Sequence, residues 1–116
     1  MKLPNASAAR VDVTKIRDYL LSSTHPKGRD KRRVFRQLGF DDDRWLDLLR
    51  ELSRAGRDGE VVKQVSTIYG TKYVIDAAIA GPRATGLVRT VWMLERGHAA
   101  PRLVTAYPLG EPNEGA

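Results

Sequence analysis

The sequence contains no cysteine, and this absence excludes several kinds of site at once. Without thiols there is no disulfide framework, no thiolate ligand for a metal and no cysteine nucleophile. Histidine is almost as scarce, since only His25 and His98 occur, and the acidic residues show no metal-ligand spacing beyond the run Asp41–Asp43. Helix capping already explains that run. We therefore expect no metal and no cofactor, and any chemistry should come from acid–base side chains.

Long apolar stretches are also missing. No segment approaches the roughly 18 apolar residues of a membrane-spanning helix, and the N-terminus lacks the apolar stretch of a signal peptide. With 116 residues, 41% of them apolar, the chain can bury one modest core. We expect a soluble, cytoplasmic protein that does not contact a membrane. Residues 1–108 would form a single domain, and residues 109–116 a flexible tail.

Positive charge is what the sequence has in excess. Its 20 lysines and arginines outnumber 14 acidic residues, giving a net charge of +6 and an isoelectric point near 10.0. Residues 27–36 alone hold six basic residues and one acidic residue, a local charge of +5 (6 − 1). This distribution favours a polyanionic partner such as nucleic acid.

Apolar residues at helical spacing predict three helices in the first half of the chain. The predicted segments are about 13–22 after Asp12, about 28–38, and a third from one of the aspartates 41–43 to about Ala55. Gly39 and Gly56 are expected to end the second and third helices, because glycine readily adopts the left-handed conformation found there.

After Gly59 the apolar period changes from helical to alternating, which predicts strands. The four predicted strands cover about 60–67, 71–79, 86–95 and 101–107. Their connections are short, so neighbouring strands should pair antiparallel. The expected fold class is α+β, with three N-terminal helices followed by a four-stranded antiparallel β-meander.

The second predicted helix carries two kinds of basic residue. Four arginines fall on the side opposite its apolar stripe, namely Arg29, Arg32, Arg33 and Arg36. They either keep the helix solvated or bind a phosphate backbone, and the sequence supports both interpretations equally. Lys31 instead lies within the stripe, between Val34 and Phe35 on the wheel. It either extends past the edge of the core or points into a cleft, where its ammonium could stabilise an oxyanion on phosphorus.

His25 lies in the loop before this helix, six residues ahead of Lys31. Its imidazole has the pKa range for general acid–base work at neutral pH. A single histidine in a loop is nevertheless more often incidental than catalytic.

The last predicted strand offers hydroxyl groups and a cation. Strict alternation puts Arg102 on one face and Thr105 and Tyr107 on the other. The two hydroxyls could meet a ligand on a sheet face that the helices leave open. Arg102 could reach a phosphate from the strand's beginning or from a neighbouring edge. Threonine and tyrosine are also ordinary strand residues. The same ambiguity applies to Arg89 and Thr90.

Taken together, several segments resemble a bacterial domain family of unassigned function, found alone or at the C-termini of polymorphic and contact-dependent inhibition toxins. The segments are Tyr19–Leu21, His25–Gly28, Lys31, Phe35, Leu38–Phe40, Tyr69–Tyr73, Val88–Trp92 and Pro101–Pro108. That toxin group resembles the barnase/EndoU/colicin/RelE (BECR) ribonuclease superfamily. The resemblance implies a BECR-like fold, with N-terminal helices before a four-stranded antiparallel sheet.

The resemblance also implies an activity, metal-independent endoribonucleolytic cleavage of RNA, with tRNA as one possible target. His25 would be the general acid or base, Lys31 the oxyanion stabiliser and Arg102 a phosphate ligand. Thr105 and Tyr107 would contact phosphate or base. Further contacts to the RNA backbone would come from Arg32, Arg33, Arg36 and Arg89.

Two features depart from the pattern of that family. Arg32 follows Lys31 where a small residue is usual, and only His25 matches where EndoU-like enzymes use two histidines. The implied protein partner is an acidic immunity or antitoxin protein. The alternative function is a non-catalytic, basic domain that binds nucleic acid or another protein.

Overall fold

The computed structural model describes residues 1–21 and 28–109, without the side chains of Tyr19 and of residues 28–31. The helical elements come first in the chain. They are a 3₁₀ turn Ala6–Ala8, helix α1 Val13–Lys15 with a π-helical turn Ile16–Leu20, α2 Gly28–Gln37, a 3₁₀ turn Asp42–Arg44, and α3 Trp45–Asp58. The strands follow as β1 Val61–Thr67, β2 Gly70–Ala80, β3 Thr85–Glu95 and β4 Arg102–Pro108.

The sheet confirms the predicted α+β class and the antiparallel meander. The strands lie in the order β1-β2-β3-β4, and each pairs antiparallel with its neighbour. The observed strand limits agree with the predicted ones to within one residue. Short connections explain this order, because two strands joined by a tight turn can pair at once. Leu109, placed in the predicted tail, donates its backbone N–H to the Leu87 carbonyl at 2.9 Å.

The helical layer agrees with the three expected helices only in part. Within residues 1–21 and 28–109, α2 covers most of the second predicted segment, and α3, with 14 residues, is the one long helix, directly followed by the strands. The first predicted helix contains three α-helical residues and then a π turn, in which Leu21 N–H donates to the Ile16 carbonyl at 2.9 Å. The wider turn buries Ile16, Leu20 and Leu21 together, which a regular helix would spread over a larger angle. No helix within the described ranges has the length and apolar character to span a membrane.

Helix α3 continues through Gly56, where it was predicted to end, and stops at Asp58. The reason is packing against the sheet. A Cβ atom at Gly56 would lie 2.5 Å from the Trp92 indole, so the missing side chain lets the ring lie directly on the helix. Gly39 does end its segment as predicted, with a φ of 104° just after α2.

The core fills the space between the helices and one face of the sheet. Helix α3 packs on β2 and β3, and α2 lies against β4. The fully buried side chains include Phe35, Leu38, Leu48, Leu52, Ile75, Ile79, Val88 and Trp92. Thr90 satisfies the one polar group of the indole, because Trp92 Nε1 donates to its hydroxyl at 2.8 Å. Along the strands, side chains alternate between the core and the opposite face of the sheet. We call this opposite face, which points away from the helices, the open face.

Candidate functional site on the open face of the sheet

A β-bulge in β4 decides which side chains share the open face. Val91 of β3 lies opposite Thr105, but the next residue, Trp92, lies opposite Leu103, so Val104 is an extra residue in β4. A bulge of this kind changes the alternation of side chains by one position.

The bulge corrects one sequence prediction. Strict alternation separated Arg102 from Thr105 and Tyr107, and this was wrong, because the extra residue lies between them. Arg102 pairs with Met93 and Tyr107 with Arg89, both on the open face, whereas Leu103 is buried in the core. Arg102, Thr105 and Tyr107 therefore belong to the same surface.

Arg89 occupies the centre of one row across this face. It lies opposite Asp76 of β2 and opposite Tyr107 of β4. Its Nε donates to Asp76 Oδ1 at 2.8 Å and its Nη2 to Oδ2 at 2.9 Å. The hydrogen bond with Asp76 and, more weakly, one with Tyr107 raise the pKa of Arg89 above its ordinary value. The cation is thus held in a fixed orientation between a carboxylate and a phenol.

This arrangement leaves Arg89 able to bind an anion. A guanidinium carries five N–H donors, of which Asp76 takes two, and the contact with Tyr107 leaves further donors for an anion. Asp76 was not among the residues singled out from the sequence. Asp76 lies directly opposite Arg89 because of the register between β2 and β3. No local sequence motif predicts that register.

A second cation lies at the other end of β4. Arg102 Nε donates to Glu95 Oε1 at 2.5 Å, and this hydrogen bond lowers the pKa of Glu95. The neighbouring strands add Lys72, opposite Met93, and Lys63, opposite Val74. Neither lysine forms an ion pair with a carboxylate in the described part of the chain.

The open face therefore carries a positive balance. Its basic residues are Lys63, Lys72, Arg89 and Arg102, and its acidic residues are Asp76 and Glu95, a net charge of +2 (4 − 2). Such a surface can bind a phosphate group by charge-assisted hydrogen bonds. Within residues 1–21 and 28–109, no three histidine or carboxylate groups come close enough together to hold a metal ion.

The structure does not describe the side chains of the two predicted catalytic residues in the helical part, His25 and Lys31. His25 lies outside the described residues. Lys31 belongs to α2, but its side chain is not described. The backbone of α2 lies against β4 on the core side of the sheet, whereas Thr105 and Tyr107 of β4 belong to the open face.

The arginines of α2 form a separate basic surface. Val34, Phe35 and Leu38 of α2 are buried, so this helix turns its other side outwards. Arg33 and Arg36 are exposed and Arg32 is half-buried. These three residues belong to the helical layer, whereas Arg89 and Arg102 lie on the open face of the sheet.

Comparison with known proteins places the chain in a family. The family described as "Domain of unknown function (DUF6883)" matches residues 2–110. A solved structure, "Contact-dependent growth inhibition toxin - immunity protein complex from Klebsiella pneumoniae 342", contains a chain with a TM-score of 0.72 and 18% identity, over 90% of this chain and 97% of that one. At this identity the likeness shows the fold alone. No curated protein matches the sequence. The chain belongs to the DUF6883 family.

Proposed function

We propose that this chain is a metal-independent endoribonuclease of bacterial toxin type. The observation that carries the proposal is the gathering of two cations and two hydroxyl-bearing side chains on one open sheet face, namely Arg89, Arg102, Thr105 and Tyr107. All four were singled out from the sequence as RNA contacts. Helices followed by a four-stranded antiparallel sheet also agree with a BECR-like arrangement.

The charge of the chain supports the toxin role over the inhibitor role. The structurally similar chain comes from a toxin–immunity complex, which offers both roles. A net charge of +6 suits a protein that binds RNA. An inhibitor that covers such a nuclease should carry the opposite charge, because interfaces are electrostatically complementary. An acidic immunity or antitoxin protein is the matching protein partner.

The proposed reaction is an internal transfer on phosphorus. The ribose 2′-oxygen forms a bond to the adjacent phosphorus, the bond from phosphorus to the 5′-oxygen breaks, and a 2′,3′-cyclic phosphate and a 5′-hydroxyl result. One group accepts the 2′-hydroxyl proton and another gives a proton to the leaving oxygen. His25 takes one of these roles, and Tyr107 or a water molecule takes the other.

The cations act on the phosphate itself. Arg89, already oriented by Asp76, and Arg102 hold the phosphate group on the open face. Helix α2 packs on the other face of the sheet, against β4 at its edge, so Lys31 must reach around that edge to stabilise the negative charge that develops on the phosphate oxygens. A guanidinium that is fixed before the substrate arrives loses little freedom on binding, which favours a productive geometry.

The test is cleavage by the purified chain in EDTA. Total tRNA and a synthetic RNA are incubated beside a 2′-deoxy version, and the ends of the products are analysed. We expect discrete fragments with cyclic phosphate ends from RNA and none from the deoxy substrate. His25→Ala and Lys31→Ala should each abolish cleavage, and His98→Ala, in an exposed turn, should not. Full activity in both of the first two variants would overturn the catalytic assignment.

The binding-module alternative gives a different result. RNA would stay intact but bound, and binding would weaken steeply with salt. Replacing Arg32, Arg33 and Arg36 by glutamine would then reduce affinity more than replacing Arg44, Arg50 and Arg57 of the α3 segment, which removes the same charge. His25→Ala would have no effect.

A further inference from the structure

Strand β1 forms an open edge of the sheet. Within the described chain it pairs with β2 alone, so one row of its backbone N–H and C=O groups points away from the sheet. The five residues 62–66 are all exposed, on both faces of the strand. An edge that is bare in this way is a template for a further strand from another chain.

The opposite edge of the sheet, on β4, is partly covered by another segment of the chain. Arg10 makes a parallel bridge to Arg102, in which Arg10 N–H donates to the Pro101 carbonyl and Leu103 N–H to the Arg10 carbonyl, both at 2.9 Å. The N-terminal segment therefore occupies the beginning of β4. The contrast singles out β1 as the edge left for a partner.

Among the residues that the structure describes, contacts protect only the beginning of β1. Val61 N–H donates to the Met1 carbonyl at 2.7 Å, and a register shift between Val61 and Lys63 marks a bulge at Val62. From Lys63 to Thr67 the pairing with β2 is regular. This regular stretch is long enough for a short strand to pair with it.

Apolar side chains accompany this stretch. The exposed fractions are 56% for Val62, 40% for Val65, 75% for Ile68 and 70% for Tyr69, the last two at the tip of the β1–β2 hairpin. Edge strands that must remain unpaired usually carry charges or proline instead. Lys63 is the one charged residue among 61–67.

The positive charge beside β1 indicates which kind of strand could pair with this edge. Val65 lies opposite Lys72, and Lys63 is on the same open face, so two lysines without ion-pair partners in the described chain flank an exposed valine. A carboxylate on an added strand would pair with Lys63, its neighbour on β1, and Lys72, one strand further away on β2, would add to the positive charge there. A second copy suits the edge poorly, because two chains of net charge +6 repel one another and each would add its own Lys63.

We infer that β1 docks an extended, acidic segment of a partner protein, which joins the sheet as an additional strand beside Lys63–Thr67. Its apolar residues cover Val62 and Val65, and its carboxylates face Lys63, in the positive potential to which Lys72 contributes. This surface is distinct from the Arg89–Tyr107 row and does not depend on RNA cleavage.

The probe is a short synthetic peptide with threonine at every second position and glutamate, valine and glutamate at the positions between, so that one face of the strand carries both residue types. Its counterpart has lysine in place of glutamate. Binding is titrated, and amide hydrogen exchange locates it on the chain. We expect the acidic peptide to protect the amides of β1 and the basic peptide to bind at least about tenfold more weakly. Lys63→Glu with Lys72→Glu should reverse this preference, and Arg50→Glu with Arg57→Glu, an equal change of charge on α3, should keep it.

Three results would overturn the inference. One is binding of neither peptide, and another is equal binding of the acidic peptide to the wild type and to the Lys63→Glu, Lys72→Glu variant. The third is that, without any peptide, the β1 amides are already protected and the protein has the mass of a dimer. A second copy of the chain would then be the occupant of the edge. Because no RNA is used, failure here is separate from failure of the ribonuclease proposal.

Discussion

Arg89 and Asp76 face one another across β3 and β2 and share two hydrogen bonds of 2.8 and 2.9 Å. The pair is partly shielded from water, with 34% and 21% of the two side chains exposed. A bidentate pair fixes both the position and the plane of the guanidinium. On the open face this orientation turns Arg89 towards its other neighbour, Tyr107.

Loss of the carboxylate should therefore misplace Arg89. In Asp76→Asn the side chain keeps its shape but loses its charge, and we expect RNA cleavage to fall about 10- to 100-fold, as misplaced positioning groups do. Arg89→Lys should be at least as damaging, because an ammonium cannot form the fork of two parallel hydrogen bonds. The measurement is kcat and KM on the same synthetic RNA.

Asp47→Asn is the matched control, since it removes a carboxylate from the Arg44 ion pair at the start of α3. It should leave cleavage unchanged. Equal rates for wild type, Asp76→Asn and Arg89→Lys would show that the pair only joins two strands.

Tyr107 can be tested by removing a single oxygen. Tyr107→Phe keeps the ring on β4 but loses the hydroxyl that meets Arg89. We expect kcat to fall at least about tenfold if the hydroxyl moves a proton or binds phosphate. Tyr69→Phe makes the same change at the exposed hairpin tip and should leave kcat as it was. A similar small effect in both variants would remove Tyr107 from the site.

The sequence predicted the strands well because alternation and short turns act locally. It could not predict the bulge at Val104, because a bulge depends on how two strands pair, and so it put Arg102 on the wrong face. Asp76 was not predicted for the same reason, since its place opposite Arg89 depends on how β2 and β3 pair. Arg102, Thr105 and Tyr107 of β4 were singled out by the family resemblance more than by their residue types, and their roles in a site remain predictions.

The helical layer was predicted less well, because tertiary packing overrides local signals there. The π turn at Ile16–Leu20 follows from the need to bury neighbouring apolar residues together. Gly56 looked like a helix end, yet its role is to leave room for Trp92. The proposed roles of His25 and Lys31 remain predictions.

Gly56→Ala gives a test in which two effects have opposite signs. Alanine is favoured over glycine inside a helix by about 1 kcal/mol, which would stabilise α3. A Cβ atom 2.5 Å from the Trp92 ring must displace the indole, and overpacking typically costs about 1–3 kcal/mol. We expect the free energy of unfolding to fall, as measured by urea denaturation. Ser53→Ala, elsewhere in α3, serves as the comparison, and a more stable Gly56→Ala would contradict the packing argument.

Glu51 links α3 to the end of β2 and should make stability depend on acid pH. Its Oε1 accepts the Ala80 N–H at 2.8 Å, and Arg54 donates to the same carboxylate at 3.3 Å. Burial alone raises the pKa of Glu51, but the hydrogen bonds from Arg54 and Ala80 outweigh it and lower the pKa below 4.5.

A pKa that is lower in the folded chain than in the unfolded chain fixes the sign of the effect. The stabilisation is fully present above the unfolded pKa and is lost as the pH falls through the folded one. Glu51→Gln should cost about 0.5–1 kcal/mol at neutral pH, allowing for partial exposure to solvent, and should flatten the loss of stability below pH 4.5.

Glu60→Gln separates this effect from a screened surface pair. The pKa of Glu60 is lowered by the N-terminal amino group and by Lys2, but this carboxylate is 65% exposed. High salt should therefore erase the effect of Glu60→Gln and leave part of the effect of Glu51→Gln, because a half-buried pair is screened less. Urea titrations between neutral and acid pH, at low and at high salt, measure both. If the free energy of unfolding of Glu51→Gln falls at acid pH as steeply as that of the wild type, the contact from Glu51 to Ala80 contributes nothing to the pH dependence.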